Sequence, residues 1–233
     1  MLNRIVILAA GGTGSRLNAN LPKQYMLLQD SPVLMHTIRA FQDHVDKIIV
    51  AIHPDMKPYW KELCEKYNFK VAHELVDGGN SRFQSVAHAI DFLQENYAEV
   101  FLQASSCIAV HDAARPLVSS ELIEQSFTLA AAGHSNVLAQ KSTNSIRQGS
   151  EQENKALNRE EIWIIQTPQT FPAGILKKAY EQTESPLFTD DASVVEKIGY
   201  PIHLLPSTAK NIKLTYPEDF EIANLYLNEQ KEH

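Results

Sequence analysis

The residues best suited to chemistry form a segment near the start of the chain, AAGGTGSRLNANLPKQY, at residues 9–25. A glycine-rich turn follows an apolar run, and Arg16 and Lys23 come after the glycines. Small residues let backbone N–H groups approach an oxyanion, and two fixed cations suit a triphosphate that is cleaved at its α-phosphorus. The glycines alone are equally consistent with an ordinary strand-to-helix turn followed by two solvated basic side chains.

The two best-known phosphate-binding fingerprints do not fit this segment. The dinucleotide pattern G-x-G-x-x-G fails because Leu17 stands where the third glycine is required. The P-loop pattern fails because no Lys-Ser or Lys-Thr pair closes the turn. An NAD-dependent oxidoreductase is therefore disfavoured, and the segment favours another kind of nucleotide site.

Two further segments carry residues that could bind a nucleotide or a phosphate ester. DGGNSRFQSV, residues 77–86, has a Gly-Gly turn before Arg82 and Ser85, and backbone groups with Ser85 could contact the edge of a base. VHDAARPL, residues 110–117, places Asp112 and Arg115 just beyond an apolar run. These two could orient a polyol phosphate, although a carboxylate and a guanidinium at a strand end usually pair with each other.

The sequence alone assigns no definite function to His111 or Lys213. His111 is expected to be a hydrogen-bonded core histidine, and we assign it no catalytic role. Lys213, in the segment NIKLT at residues 211–215, lies between two apolar residues. In a strand such a lysine usually faces solvent, so it becomes functional only if that face borders the cleft.

Apolar runs of strand length alternate with amphipathic helical segments along most of the chain. Strands are predicted at residues 4–10, 46–53, 70–76, 107–112, 136–139 and 202–206. Helices are predicted at 33–41, 56–67, 81–93 and 120–132, within TPQTFPAGILKKAY and TDDASVVEKIG, and after Thr215, which forms a capping-box pattern with Glu218. The alternation predicts an α/β fold with a mainly parallel sheet and helices on both faces. Ligands bind at the carboxyl ends of the strands in such sheets, where the opening loop and Asp112 lie.

Residues 140–162 interrupt this alternation with a polar segment. They could form a solvated loop, but a structureless loop of that length is uncommon in a compact domain and is usually functional. A projecting β-hairpin arm with its turn near Gly149 is the alternative. Residues 1–233 are therefore interpreted as a single domain, with 140–162 as an arm.

Composition narrows the class of protein. A formal net charge of −7 argues against a nucleic-acid groove. The sequence shows neither an export signal nor an apolar run of membrane-spanning length, so we expect a cytoplasmic protein with no membrane contact and with Cys64 and Cys107 reduced. No carboxylate or Cys/His cluster with metal-ligand spacing is evident, so no protein metal site is predicted.

Taken together, these motifs resemble the 2-C-methyl-D-erythritol 4-phosphate cytidylyltransferases of the non-mevalonate isoprenoid pathway. GGTGSRL, PKQY, PVLMHT, GGNSRFQSV, VHDAARPLV, QTPQTF, TDDAS and NIKLT occur in order over about residues 4–225. Each motif alone is weak, but the set is specific. The resemblance implies a Rossmann-like nucleotidyltransferase, active on CTP and a small polyol phosphate, that forms a homodimer through its hairpin arms.

The resemblance also implies roles for individual residues. The residues it places at the α-phosphate and the leaving pyrophosphate are Arg16, Lys23 and Lys213. Those it places around the cytosine and ribose are Ala10, Gly11, Gly12, Gly78 and Ser85. Those it places around methylerythritol phosphate are Asp112, Arg115, Thr167 and, in the arm region, Ser145 and Arg159, of which Arg159 would act on the neighbouring subunit's site. Mg²⁺ is expected to arrive on the triphosphate, held mainly by its oxygens.

Two departures from the family pattern bear on the substrate. The opening loop has Ala10-Gly11-Gly12 where the family usually has Ala-Ala-Gly, and the arm has Asn144-Ser145-Ile146-Arg147 where Asp-Thr-x-Lys is usual. Ser145 keeps a hydroxyl, whereas Asn144 removes a carboxylate. The related ribitol 5-phosphate cytidylyltransferases share the Ala-Gly-Gly opening, but Ala114, RFQSV and TDDAS favour methylerythritol phosphate. A non-catalytic nucleotide-binding module is the other alternative, although a binder would not need Arg16, Lys23 and Lys213 together.

Overall fold

The strands and helices come from a computed structural model that describes residues 2–12 and 21–231. Its strands are β1 (Arg4–Ala10), β2 (Leu27–Leu28), β3 (Ser31–Pro32), β4 (Lys47–Ile52), β5 (Glu74–Asp77), β6 (Cys107–Asp112), β7 (Asn136–Lys141), β8 (Ile146–Gly149), β9 (Asn154–Leu157), β10 (Trp163–Pro172) and β11 (His203–Pro206). Its helices are α1 (Val33–Phe41), α2 (Lys57–Lys66), α3 (Arg82–Asn96), α4 (Ser120–Ala131), α5 (Ala173–Tyr180), α6 (Asp191–Lys197) and α7 (Pro217–Lys231).

A seven-stranded sheet in the order β11-β7-β10-β6-β1-β4-β5 forms the centre of the fold. Strand β1 pairs in parallel with β4 and β6, and the pairs β4–β5 and β7–β11 are also parallel. Strand β10 alone in this sheet runs antiparallel to its neighbours β6 and β7. The expected mainly parallel α/β sheet is confirmed.

Helices cover both faces of the sheet because the central strands are apolar on both sides. On one face, Val6 and Leu8 of β1 pack with the buried side chains of α1, α2 and α4. On the other face, Ile5 and Ile7 pack with those of α3, α5 and α6. Alternate residues of one strand therefore enter two separate cores, as the period of a strand requires.

The helix predicted in TPQTFPAGILKKAY is present as α5, but the sequence analysis did not predict strand β10, which precedes it. Residues Trp163–Pro172 form a ten-residue strand, and α5 begins only at Ala173. The segment is rich in β-branched and aromatic residues, and prolines at positions 168 and 172 disfavour a helix through it. This strand brings Thr167 beside the end of β6, where the Asp112 N–H donates to Thr167 Oγ1 at 3.0 Å.

The polar segment 140–162 contains the predicted hairpin. Strands β8 and β9 pair in antiparallel register from Ile146 opposite Leu157 to Gly149 opposite Asn154. Gly149 adopts a φ of +132°, a conformation that side chains rarely allow, and it begins the turn. We refer to β8, β9 and the turn between them as the hairpin arm.

The start of α7 corrects the predicted capping box. Backbone N–H groups of Thr215 and Tyr216 donate to Asp219 Oδ2 at 2.6 and 2.7 Å, so the reaching carboxylate is Asp219 rather than Glu218. The helix still begins at the predicted proline, Pro217. Strand β5 is also shorter than predicted, because it begins at Glu74 and not at residue 70.

In the described part of the chain, every helix is too short or too polar to cross a membrane.

Candidate active site

Two adjoining cavities lie at the carboxyl ends of β1, β5 and β6, the edge at which the sequence predicted a site. The first, of about 310 Å³, is lined by Ala9, Ala10, Gly11, Gly12, Lys23, Gln24, Gly79, Asn80, Ser81, Arg82, Ser85, Asp112, Ala114 and Lys213. The second, of about 300 Å³, is lined by Arg82, Asp112, Arg115, Ile165, Gln166, Thr167, Gln169, Thr189, Asp190 and Lys213. Arg82, Asp112 and Lys213 border both cavities, and we call these three residues the shared wall.

The glycine loop after β1 is held by the residue that follows Lys23. Gln24 is buried, and its Nε2 donates to the carbonyls of Ala10 and Gly12 at 2.7 and 3.0 Å. Ala10, Gly11 and Gly12 are therefore held on the wall of the first cavity, which Lys23 also lines. Arg16, predicted to act beside Lys23, lies outside the described residues.

The Gly-Gly turn after β5 packs tightly against the strand beside it. The Gly78 N–H donates to the Ile52 carbonyl at 2.7 Å, and the Gly79 N–H donates to Ser85 Oγ at 3.0 Å. A Cβ added to Gly11 would lie 3.1 Å from Ser85 Oγ, so a glycine at position 11 allows the two loops to approach. Gly79 takes the place in the cavity lining that the prediction gave to Gly78.

The shared wall is a cluster of charges around one carboxylate. Lys213 Nζ lies 2.8 Å from Asp112 Oδ2, and Arg115 Nε lies 3.3 Å from the same oxygen. Arg82 Nε lies 3.6 Å from Asp112 Oδ1. Burial alone would raise the pKa of Asp112, but Arg82, Lys213 and Arg115 together hold that pKa well below its usual range. Asp112 is therefore a permanent anion that gathers three cations at the boundary of the cavities.

Lys213 meets the condition that the sequence set for a functional role. The NIKLT segment is not a strand of the sheet; Leu214 is buried and its N–H donates to the Ala114 carbonyl at 2.8 Å. Arg115 Nη1 donates to the Asn211 carbonyl at 2.9 Å and ties the start of the segment to the end of β6. Lys213 is thereby turned toward both cavities, with 43% of its side chain exposed.

His111 supports the site from beneath. Its Nε2 faces the Arg115 carbonyl at 3.0 Å and so carries the proton, while Nδ1 lies 3.0 Å from Thr167 Oγ1. Burial lowers the pKa of His111 to about 4, so the ring is neutral and Nδ1 accepts from Thr167. The imidazole is fully buried, as expected for a core histidine. Thr167 has its hydroxyl hydrogen committed to His111, although it still lines the second cavity.

The arm residues of the predicted site lie apart from these contacts. Ser145 is exposed, and Arg159 has 53% of its side chain exposed, with its Nε 3.6 Å from Glu160 Oε1. Neither residue is among those that line the two cavities. The structure therefore brings together Lys23, Asp112, Arg115, Thr167 and Lys213, but not Ser145 or Arg159.

Sequence reasoning assigned no role to several residues that line the cavities, above all Gln24 and Arg82. Gln24 directly follows Lys23 in PKQY. Arg82 lies three residues before Ser85 in α3, so helical spacing alone places both on one face. That spacing was the signal that could have identified Arg82.

Among residues 2–12 and 21–231, no group of three His, Cys, Asp or Glu side chains is arranged to hold a metal ion. The single carboxylate common to both cavities, Asp112, is already paired with cations. The residues described at the site therefore do not form a metal centre of their own.

An α/β sheet whose glycine loop and cationic wall border a cavity at the strand ends is the arrangement that the sequence resemblance predicts for a nucleotidyltransferase. The chain belongs to the 2-C-methyl-D-erythritol 4-phosphate cytidylyltransferase family, whose sequence profile matches residues 4–229. It is similar to the enzyme of that name from Porphyromonas gingivalis, with 41% identity over 96% of this chain and 97% of the relative. It is also similar to that from Bacteroides thetaiotaomicron, with 37% identity over 97% of this chain and 100% of the relative.

Solved structures agree with the sequence comparison. A crystal structure of 4-diphosphocytidyl-2C-methyl-D-erythritol synthase matches with a TM-score of 0.79 and 28% identity, over 97% of this chain and 99% of the other. The 2-C-methyl-D-erythritol 4-phosphate cytidylyltransferase of Francisella tularensis matches with a TM-score of 0.75 and 31% identity, over 96% and 99%. The Rossmann-like nucleotidyltransferase fold expected from the sequence is confirmed.

Proposed function

We propose that this enzyme transfers CMP from CTP to 2-C-methyl-D-erythritol 4-phosphate and releases pyrophosphate, a step of isoprenoid precursor biosynthesis. The observation that carries this conclusion is the shared wall. A reaction that joins a group from one substrate to a group from another needs two adjoining sites with a charged boundary, and the two cavities adjoin at Arg82, Asp112 and Lys213. Family membership supports the choice of the two substrates.

The first cavity is assigned to CTP. Its glycine loop offers backbone N–H groups at positions 11 and 12, and the Gly-Gly turn with Ser85 offers polar groups to the base and ribose. Lys23 then lies where a triphosphate would extend from the glycine loop. Arg16 is assigned to the same triphosphate on the resemblance of its motif alone.

The second cavity is assigned to methylerythritol phosphate. Arg115 provides a guanidinium for the phosphate, while Asp112 and Thr167 provide oxygens within reach of the polyol. Ser145 and Arg159, which flank the hairpin arm, are proposed to complete this site from a second subunit, since both are exposed in the single chain. This cavity also decides between methylerythritol phosphate and ribitol phosphate.

The reaction is a direct displacement. A phosphate oxygen of methylerythritol 4-phosphate attacks the α-phosphorus of CTP, a new P–O bond forms, and the bond to the pyrophosphate oxygen breaks. A phosphate monoester is mostly ionised near neutral pH, so neither a general base nor a covalent nucleophile is required. Lys23 and Lys213 stabilise the charge that develops on the equatorial oxygens and on pyrophosphate, and positioning supplies the rest of the rate enhancement.

Magnesium is proposed to enter with the triphosphate. The described residues of the two cavities place a single carboxylate, Asp112, at their boundary, and its charge is already balanced by cations. The phosphate oxygens of CTP would therefore supply most of the ligands, together with water, in the manner that Mg²⁺ prefers.

A homodimer joined through the hairpin arms is proposed as the working assembly. Ile164, on β10 just after the hairpin arm, is 50% exposed although it belongs to the central sheet, whereas Ile165 lines the second cavity. The exposed apolar side chain of Ile164 favours a second protein surface over it. Sedimentation velocity at several protein concentrations tests the assembly, since a monomer at all concentrations would contradict it.

The experiment that tests the function is pyrophosphate release from CTP and Mg²⁺, with methylerythritol 4-phosphate and ribitol 5-phosphate offered in parallel. Release with methylerythritol phosphate alone is the expected result. Release with ribitol phosphate alone would retain the fold and the mechanism but overturn the substrate. Silence with both, in a protein that still binds CTP by calorimetry, would identify a nucleotide-binding module instead.

A further inference from the structure

Arg82 occupies a place in the site that its neighbours in sequence do not explain. It is the first residue of α3, it approaches a different oxygen of Asp112 from the one that Lys213 contacts, and it lines both cavities. Its Nε lies 3.6 Å from Asp112 Oδ1, and 29% of its side chain is exposed. The guanidinium is therefore a fourth cation at the site, beside Lys23, Arg115 and Lys213.

A second carboxylate holds Arg82 from behind. Asp191 is fully buried, and its Oδ2 lies 2.6 Å from Arg82 Nη2. Its other oxygen accepts a hydrogen bond from the Tyr180 hydroxyl at 2.6 Å. Burial first, and the Asp191 carboxylate next, raise the pKa of Tyr180 well above its usual value, so this hydroxyl keeps its proton.

The backbone around Asp191 is also fixed. Asp190 and Ser193 form a reciprocal capping box at the start of α6. The Ala192 N–H donates to Gln169 Oε1 at 2.9 Å, while Gln169 Nε2 donates to Asp190 Oδ2 at 2.9 Å. The carboxylate of Asp191 is thereby presented by a short helix that is anchored to β10.

The guanidinium of Arg82 thus spans two carboxylates, one buried behind it and one at the boundary of the cavities. Burial alone would lower the pKa of Arg82, but the charges of Asp191 and Asp112 raise it, so the cation is permanent. A planar guanidinium has five N–H donors in a rigid fork, which suits the oxygens of a phosphoryl group. A cation fixed before the substrates arrive needs little reorganisation during the reaction.

We propose that Arg82 is a further catalytic residue, which contacts the phosphoryl group transferred between the two cavities, and that Asp191 is a positioning residue that acts through Arg82. The inference rests on the proposed function, because it places the reacting phosphorus at the shared wall. An ion pair that only joined α3 to α6 would stabilise the fold without affecting turnover.

A double-mutant cycle separates these two roles. Arg82→Gln should lower kcat by ~10²-fold with little change in the KM for CTP, because the contact forms mainly in the transition state. Asp191→Asn, which keeps the shape and removes the charge, should lower kcat by about 10-fold through misplacement of the guanidinium. Because Asp191 acts through Arg82, adding Asp191→Asn to Arg82→Gln should leave kcat within about 2-fold of the single Arg82 variant.

A control variant and a chemical rescue distinguish loss of catalysis from loss of stability. Glu74→Gln breaks another partly buried pair, that of Glu74 with Lys47 at 2.5 Å, and it should lower thermal stability without lowering kcat. Ethylguanidinium added to Arg82→Ala should restore part of the lost turnover, which a purely structural ion pair would not allow.

Each outcome identifies which statement fails. Variants at Arg82 and Asp191 with wild-type kcat, in a preparation whose wild-type protein releases pyrophosphate, would overturn this inference alone. Additive losses in the double variant would overturn the positioning role of Asp191. A wild-type protein without pyrophosphate release would overturn the proposed function as well.

Discussion

The shared wall and the hairpin arm region both carry charged residues that the sequence suggested for the site, but they hold them differently. In the wall, Asp112 has 12% of its side chain exposed and is approached by cations from three separate parts of the chain. Beside the arm, Glu160 has 63% of its side chain exposed, and it pairs with Lys141 at 3.1 Å and with its neighbour Arg159.

This difference in exposure indicates which part of the site a single chain can form by itself. Charges in the wall are largely shielded from water, so each strongly affects the others, and their geometry is set before any ligand binds. Exposed pairs gain little because water and salt screen them. The wall is therefore preorganised within one chain, whereas Ser145 and Arg159 contribute to the site only in the proposed dimer.

The largest expected effect comes from the lysines of the cavities. Lys213→Ala or Lys23→Ala should lower kcat by ~10²-fold or more with the fold intact, because each removes a cation from the transition state. The measurement is pyrophosphate release at saturating substrates, with circular dichroism as the check on folding. Lys210→Ala is the matched control, since Lys210 lies in the same region but pairs with exposed Glu229. Near-wild-type turnover in both cavity variants would contradict the proposed role of the two lysines in the reaction.

A smaller effect concerns the stability that the buried His111, beneath the shared wall, gives to the fold. This stability should depend on pH, unlike that of the exposed arm region. The unfolded chain protonates His111 near its usual pKa of 6.5, whereas the folded protein does so only near 4. The unfolded state therefore binds more protons in this window, and His111 by itself should lower the free energy of unfolding by about 3 kcal/mol as the pH drops from 6.5 to 4. Urea unfolding at several pH values measures this loss.

His111→Asn isolates the contribution of this one residue. The variant keeps His36 and His73, whose pKa values burial also lowers, so it should retain part of the pH dependence and lose the share of His111. His203→Asn, at an exposed position, serves as the control and should keep the wild-type slope. An unchanged slope in His111→Asn would contradict the neutral buried imidazole.

A more modest effect is expected from the arm region, and it depends on a second subunit. Arg159→Ala alone should lower activity if Arg159 completes the neighbouring site. Mixing Arg159→Ala subunits with Lys23→Ala subunits should then partly restore activity, because one site of each heterodimer is undamaged. Activity in mixtures no greater than that of either parent would confine the site to a single chain.

The smallest effect is expected for the exposed pair beside the arm. Glu160→Gln removes the carboxylate that faces Lys141, yet the thermal midpoint should remain at the wild-type value, because surface pairs in water contribute little. Differential scanning calorimetry measures this. A clear drop in the midpoint would show that the arm region is held together by its charges and would weaken the contrast with the wall.

Much of the fold was predictable because its signals are local. The apolar runs of β1, β4 and β6 predict buried strands, and the helical spacing of apolar residues in α1, α2 and α3 predicts helices. The hairpin arm followed from a polar segment of unusual length. Strand β10 was not predicted because its short apolar stretch leads directly into a helix, and its partners β6 and β7 lie far from it in sequence.

The sequence also predicted part of the candidate site, but not all of it. Lys23, Asp112, Arg115 and Thr167 were chosen from motifs, and they do line the cavities. Arg82 was passed over because a basic residue at the start of a helix has no local mark of its partner. The sequence did not point to Asp191 for the same reason, since its proposed role depends on its contact with Arg82 in the folded chain.

By itself the sequence determined most of the strands and helices, the glycine turns and the family, because hydrophobic periodicity and backbone requirements act over a few residues. Only the tertiary structure decided that Arg82 and Lys213 approach different oxygens of Asp112 and that Asp191 pairs with Arg82. The physical reason is that the energy of an ion pair depends on distance and burial, and both arise only when the sheet brings remote segments to one edge.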